Sequence, residues 1–143
     1  AKKAFEKKEV PVGAVLVKGS EIIARAHNQV ESLQDATAHA EFLCLKQASL
    51  YLGNFRLLDT ILYSTLEPCV MCAGALILSR VKKVVWGARD LRHGAGGTVF
   101  QVLNTPHPIH SVQIEEGVLA EESAQLLKLF FQERRKENHG RDI

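Results

Sequence analysis

Cysteine is scarce: three occur in 143 residues, and two of them, Cys69 and Cys72, form one Cys-x-x-Cys pair. An odd count with one close pair excludes an even disulfide framework and suits a reducing compartment, so a cytoplasmic location is expected. No apolar run approaches the ~20 residues of a membrane span, and the lysine-rich start lacks the apolar stretch of a signal peptide. No membrane partner is therefore expected. Neither sign of charge dominates, since 18 Lys+Arg against 16 Asp+Glu leave a net charge of +2. Any nucleic-acid surface must then be a local patch. Internal repeats, low-complexity segments and a domain boundary are also missing. What is there, 46% hydrophobic and 24% charged residues, is the composition of one compact domain over 1–143 that buries a core unaided. Ala1 to Lys8 read as the end of a helix, whose start is expected to precede residue 1.

Val12 to Val17 is a short apolar run rich in β-branched residues, closed by Lys18-Gly19-Ser20 and resumed from Glu21 to Ala26. The pattern predicts a hairpin with its first strand buried on both faces. Residues 28–37 are polar, and Asp35 or Thr37 is a candidate cap for a helix from about Ala38 to Leu50, stopped by Gly53-Asn54. Thr60 to Leu66 predicts a strand, Cys69 to Ser79 a helix entered through Pro68, and Val84 to Gly87 a third core strand. A long irregular stretch from Ala88 to His110 follows, of a length that is usually functional. Ser111 to Ile114 reads as a last strand, and Leu119 to about Lys136 as a helix with Leu126, Leu127, Phe130 and Phe131 on its apolar face. Strands alternating with helices imply a layered α/β domain with the sheet between helices.

Two stretches carry the chemistry: His39-Ala40-Glu41 and Pro68-Cys69-Val70-Met71-Cys72. Cys69 and Cys72 lie on one face at a helix start and can grip one ion, with His39 as a third ligand. Structural zinc is usually closed by four protein ligands, whereas three leave a position for water, so the count points to a catalytic Zn2+. Helix N-termini favour thiolate over thiol, which helps build such a site. Zinc of this kind makes water a nucleophile near neutral pH. Glu41, placed with His39 in the first turn but two residues on, does not share its face and suits proton transfer: from the water to a substrate ring nitrogen, then to a departing amine.

His-x-Glu followed by Pro-Cys-x-x-Cys is the pattern of the zinc nucleobase deaminases. Around it, Glu9 to Val15, Thr37 to Glu41, Thr65 to Ala75 and Trp86-Gly87-Ala88-Arg89-Asp90 resemble the bacterial tRNA adenosine deaminases, and the likeness extends through Phe130-Phe131 and Arg134-Arg135. The resemblance implies a single deaminase domain of the cytidine deaminase-like class, a three-layer α/β/α fold with a five-stranded mixed sheet. It implies a homodimer that converts the wobble adenosine of a tRNA anticodon stem-loop to inosine. Position by position, it assigns zinc to His39, Cys69 and Cys72, and proton transfer to Glu41. It assigns base contacts to Asn28 and the Ala40 N–H. The anticodon falls to the loop around Asp90, with Arg89, Arg92 and His93, and to the final helix near Phe131 and Arg134. Ala36 departs from the family's usual proline.

Without the resemblance, Cys69 and Cys72 could be a redox pair and Asn28 a turn residue. Cys44 and Trp86 read as core, as do Phe130 and Phe131 for the most part. Gly94 to Gly97 is no phosphate loop, since no Gly-Lys-Ser/Thr follows, and reads as flexible. Arg80, Lys82, Lys83, Arg89 and Arg92 read as an RNA-backbone patch beside a deaminase site. His107 and His110 earn no metal role. The rival functions are a deaminase of free guanine or cytosine, and a non-catalytic zinc or RNA-binding subunit.

Overall fold

The structure, a computed structural model, describes residues 1–141, with side chains through Asn138. A short helix, α1 (Lys2–Glu6), leads into the hairpin β1 (Gly13–Lys18) and β2 (Glu21–His27), which turns through Gly19 at φ +62°. Then come α2 (Val30–Leu33), α3 (Ala40–Leu52), β3 (Thr60–Leu66), α4 (Val70–Leu78), β4 (Lys83–Ala88), β5 (Gln113–Glu116) and α5 (Ala120–Arg141). Gly53 ends α3 in the left-handed region, at φ +64°, where glycine carries no Cβ penalty.

The five strands form one mixed sheet in the order β2-β1-β3-β4-β5. β1 is antiparallel to both β2 and β3, whereas β3, β4 and β5 run parallel. Leu16, Leu62 and Val84 stand in register across β1, β3 and β4 and pack with Ala40, Cys44, Leu45, Ala73 and Leu76 of α3 and α4. Fully buried leucines such as Leu62 and Leu76 each contribute ~1.5–3 kcal/mol. Val15, Tyr63 and Val85 point to the other face, where Gly87 lies against Ser123 of α5. Phe5 of α1 meets the Phe130 ring edge-on, with centroids 6.2 Å apart. The sheet therefore lies between two helical layers, as expected.

Strand direction places the site. β3 and β4 end at the same edge of the sheet, and antiparallel β1 begins and β2 finishes there. Val10 to Val12, Asn28, Glu67 to Cys69 and Arg89 to His93 thus arrive together from four separate parts of the chain, at the strand ends where open α/β sheets form crevices. Several boundaries differ from expectation. The polar stretch 28–37 contains the turn of helix α2. β5 begins at Gln113, because Gln113 and Ile114 pair with Lys83 and Val84. α3 begins at Ala40, with His39 as its N-cap.

Candidate active site

His39 and Cys69 occupy equivalent positions: each is the N-cap of its helix, in extended backbone (φ −73°, ψ 150° and φ −76°, ψ 177°). This corrects the first-turn placement of His39. An N-cap side chain projects beyond the helix end, which turns the imidazole toward the cysteines, and Cys72 completes the group from the first turn of α4. Cys69 Sγ lies 3.5 Å and Cys72 Sγ 3.7 Å from His39 Nδ1. The three ligand atoms are all within 4.8 Å of one another, close enough to hold one metal ion. The Cys72 hydrogen bond, helped by His39, pulls the Cys69 thiol down to about 3, while the contact with Cys69 and burial hold the Cys72 proton on. The Cys69 contact raises the His39 ring. Asp35 does not cap α3: its Oδ1 accepts the Thr37 N–H at 2.8 Å and hydroxyl at 2.6 Å, closing a turn before the helix. Among the described residues, no acceptor takes the Ala40 N–H.

Glu41 is 4% exposed. Burial pushes its carboxyl up to about 7, against the pull of its own backbone N–H, the His39 ring and the Cys72 thiol. His39, Cys69 and Glu41 form the floor of a cleft of about 560 Å³. Asn28, Ala40, Arg89, Asp90, Arg92, His93, Phe131 and Arg134 all line that same cleft. The Asn28 side chain is buried, with Nδ2 donating to the Val10 carbonyl at 3.2 Å and Oδ1 accepting the Val30 N–H at 3.3 Å. Asp90 Oδ1 accepts the N–H groups of Arg92 and His93, both at 3.0 Å, and so shapes the loop that carries them.

A family model described as MafB19-like deaminase matches residues 1–135. The tRNA-specific adenosine deaminase of Bacillus subtilis (strain 168) is 53% identical over 136 residues, covering 95% of this chain and 84% of that protein. The chain belongs to the tRNA-specific adenosine deaminase family. A solved structure from a study of A-to-I editing by tRNA:A34 deaminases at the wobble position superposes with a TM-score of 0.83 at 39% identity, over 87% of this chain and 91% of that one. A guanine deaminase from Nitrosomonas europaea gives 0.72 at 25% identity, over 90% and 77%.

Two buried carboxylates of this deaminase were not singled out from sequence. Glu9, 1% exposed, accepts the N–H groups of Glu31 (2.9 Å) and Ser32 (2.7 Å) and the Ser32 hydroxyl (2.5 Å), fastening α2. Burial opposes its ionisation, but these hydrogen bonds outweigh it and hold the carboxyl below its ordinary value. Glu67, also 1% exposed, accepts from the 90–98 loop. Both lie in stretches that resemble the family, but each by itself is only a charged residue beside an apolar strand, and exposed charges give the same signal.

Three readings need correction. Gly94 to Gly97 does not read as flexible in the fold: Gly94 and Ala95 are buried, a Cβ on Gly94 would sit 2.5 Å from the Glu67 carboxyl carbon, and one on Gly96 would strike the Trp86 ring. The basic run is not one patch. Lys83 and Ala88 bound β4, a strand of six residues and so ~17–20 Å long. Arg80, Lys82 and Lys83 lie at its far end, and only Arg89 and Arg92 of the run reach the cleft. Phe131 is 42% exposed, and only Phe130 is buried in the core.

Proposed function

We propose that this deaminase hydrolyses adenosine to inosine at the wobble position of a tRNA anticodon, with one zinc ion held by His39, Cys69 and Cys72. The observation that carries the reading is the buried Glu41 carboxyl beside the clustered ligand atoms of His39, Cys69 and Cys72, in a cleft lined by His39, Cys69 and Glu41 together with Arg89, Arg92 and Arg134. One nitrogen and two sulfurs suit zinc, which supplies Lewis acidity and an acidic water near neutral pH. Glu41, lifted toward neutrality by burial, takes one proton from the attacking water and gives it to the ring nitrogen, then takes the second proton from the hydroxyl now on carbon and gives it to the departing amine as the C–N bond breaks and the carbonyl forms.

The cleft walls hold the base. The Ala40 N–H is free to donate, and Asn28, pinned by Val10 and Val30, keeps a second amide hydrogen and a second lone pair for a base edge. A base extruded from the anticodon loop enters here. Phe131 offers a face for stacking a neighbouring base. Arg89, Arg92, His93 and Arg134 meet backbone phosphates, although Arg89 pairs with Glu116 at 2.7 Å and Arg134 with Glu31 at 3.7 Å before RNA arrives.

The protein acts in the cytoplasm as a homodimer. Val70, Gly74 and Leu78 recur every four residues along α4, with Val70 and Leu78 exposed. The Leu57 N–H, bonded to the Ser79 carbonyl at 2.7 Å, brings the segment of exposed Phe55 and Leu58 to the Leu78 end of α4. Exposed apolar side chains on this side of the molecule fit a second copy. Incubation with an anticodon stem-loop bearing wobble adenosine, followed by nucleoside mass spectrometry, yields inosine at that position. Absence of inosine from zinc-loaded dimer contradicts the function.

A further inference from the structure

Glu67 immediately precedes Pro68 and Cys69, yet its side chain does not join the ligand group. It turns toward the 90–98 loop and is enclosed by it. Oε1 accepts the Asp90 N–H at 3.2 Å and the Thr98 hydroxyl; Oε2 accepts the Gly96 N–H at 2.9 Å and the Thr98 N–H at 3.2 Å. Four donors from one loop thus meet the two oxygens, which matches the acceptor capacity of an ionised carboxylate and exceeds what one amide oxygen can take. Gly94 lets the backbone close over the carboxylate without a Cβ in the way, and Gly96 lets the same loop lie against the Trp86 ring. The Ala95 N–H adds a bond to the Pro68 carbonyl at 2.8 Å, so the loop is fastened to the segment that carries a candidate metal ligand.

We propose that Glu67 is a positioning residue that holds the 90–98 loop in its RNA-receiving conformation, so that Asp90, Leu91, Arg92 and His93 stand ready over the cleft. The inference rests on the proposed function for its substrate, and on the hydrogen bonds alone for the clamp. A loop ordered in advance spares the ordering cost on binding. Releasing it weakens RNA binding more than it slows chemistry, because His39, Cys69, Cys72 and Glu41 lie on other elements. This separates Glu67 from a residue that only stabilises the fold.

Glu67→Gln keeps the shape but turns an NH2 group on two donors. The Thr98 hydroxyl can rotate to accept from it, whereas the N–H of Asp90 cannot. Thr98→Val removes one donor and leaves the carboxylate in place. Each variant is assayed for zinc content, for kcat and KM on the wobble-adenosine stem-loop, and for amide hydrogen exchange without RNA. The expected result for Glu67→Gln is a KM raised about tenfold or more, kcat lowered by less than about threefold, and exchange at Asp90, Gly96 and Thr98 accelerated about tenfold or more. Thr98→Val moves the same quantities in the same direction by less. Exchange unchanged at those three amides overturns the clamp. A loss confined to kcat, or loss of zinc, overturns the positioning role and makes Glu67 a support of the ligand group. If Glu67→Gln does not fold, Thr98→Val decides by the same readouts. If the native enzyme fails to deaminate the stem-loop, the functional reading fails, while exchange still judges the clamp.

Discussion

At the residue scale, the proposed chemistry turns on Glu41. Its neighbours in the chain are a cap that faces the cysteines and a helix that runs into the core, so the carboxyl is buried at the site itself. Replacement by glutamine keeps volume and removes a buried ionisable group, so folding survives. Glu41→Gln is expected to retain stoichiometric zinc and its melting temperature while kcat falls by ~10²–10⁴-fold, the usual contribution of a positioned acid–base group. Metal analysis with single-turnover kinetics checks this, and near-native turnover with zinc bound would remove Glu41 from proton transfer. The candidate ligand cluster of His39, Cys69 and Cys72 was legible because His-x-Glu and Cys-x-x-Cys are local patterns. Their exact presentation was not, because a cap and a first-turn residue differ by one backbone dihedral pair that no periodicity records.

At the element scale, the cleft walls are held by carboxylates acting on loops. Glu9 fastens α2 through Glu31 and Ser32. Its folded carboxyl lies below the ordinary value of 4.5, so it contributes stability above that value and loses it as pH falls through the folded value. Glu9→Gln is expected to cost ~1–3 kcal/mol at pH 7, with the gap to the native protein closing as the pH falls below the ordinary carboxyl value and through the lowered folded one. Thermal or denaturant melts across pH test this; a gap independent of pH would show that ionisation of Glu9 is irrelevant to it. Strands and long helices were legible from their apolar patterns. α2, of four residues, was not, since its stability comes from Glu9, which lies 22 residues before Glu31 in the chain. The same distance effect hid the Glu67 clamp: Gly94-Ala95-Gly96-Gly97 has the composition of a free loop, and only tertiary donors and acceptors close it.

At the scale of the whole molecule, the sheet separates two surfaces. Its strand ends gather the cleft, with arginines from the 89–92 loop and from α5 around the rim. The basic run looked continuous in sequence because β4 is short, yet the strand carries its two halves to opposite ends of the sheet. The apolar face of α4, extended by Phe55 and Leu58, is the proposed dimer contact. Leu58→Glu with Leu78→Glu leaves both helix starts that carry the candidate metal ligands intact and is expected to convert a dimer to a monomer by light scattering. A native monomer, or a double variant that stays dimeric, contradicts that assignment.

On the proposed function, this fold presents the candidate metal ligands and Glu41 to an adenosine delivered by RNA. A comparison of kcat/KM for the zinc-loaded protein, by ammonia release, on the wobble-adenosine stem-loop, free guanine and free cytosine tests this. The expected result is turnover of the stem-loop with inosine as product and no measurable turnover of either free base. Turnover of guanine or cytosine without turnover of the stem-loop would contradict it.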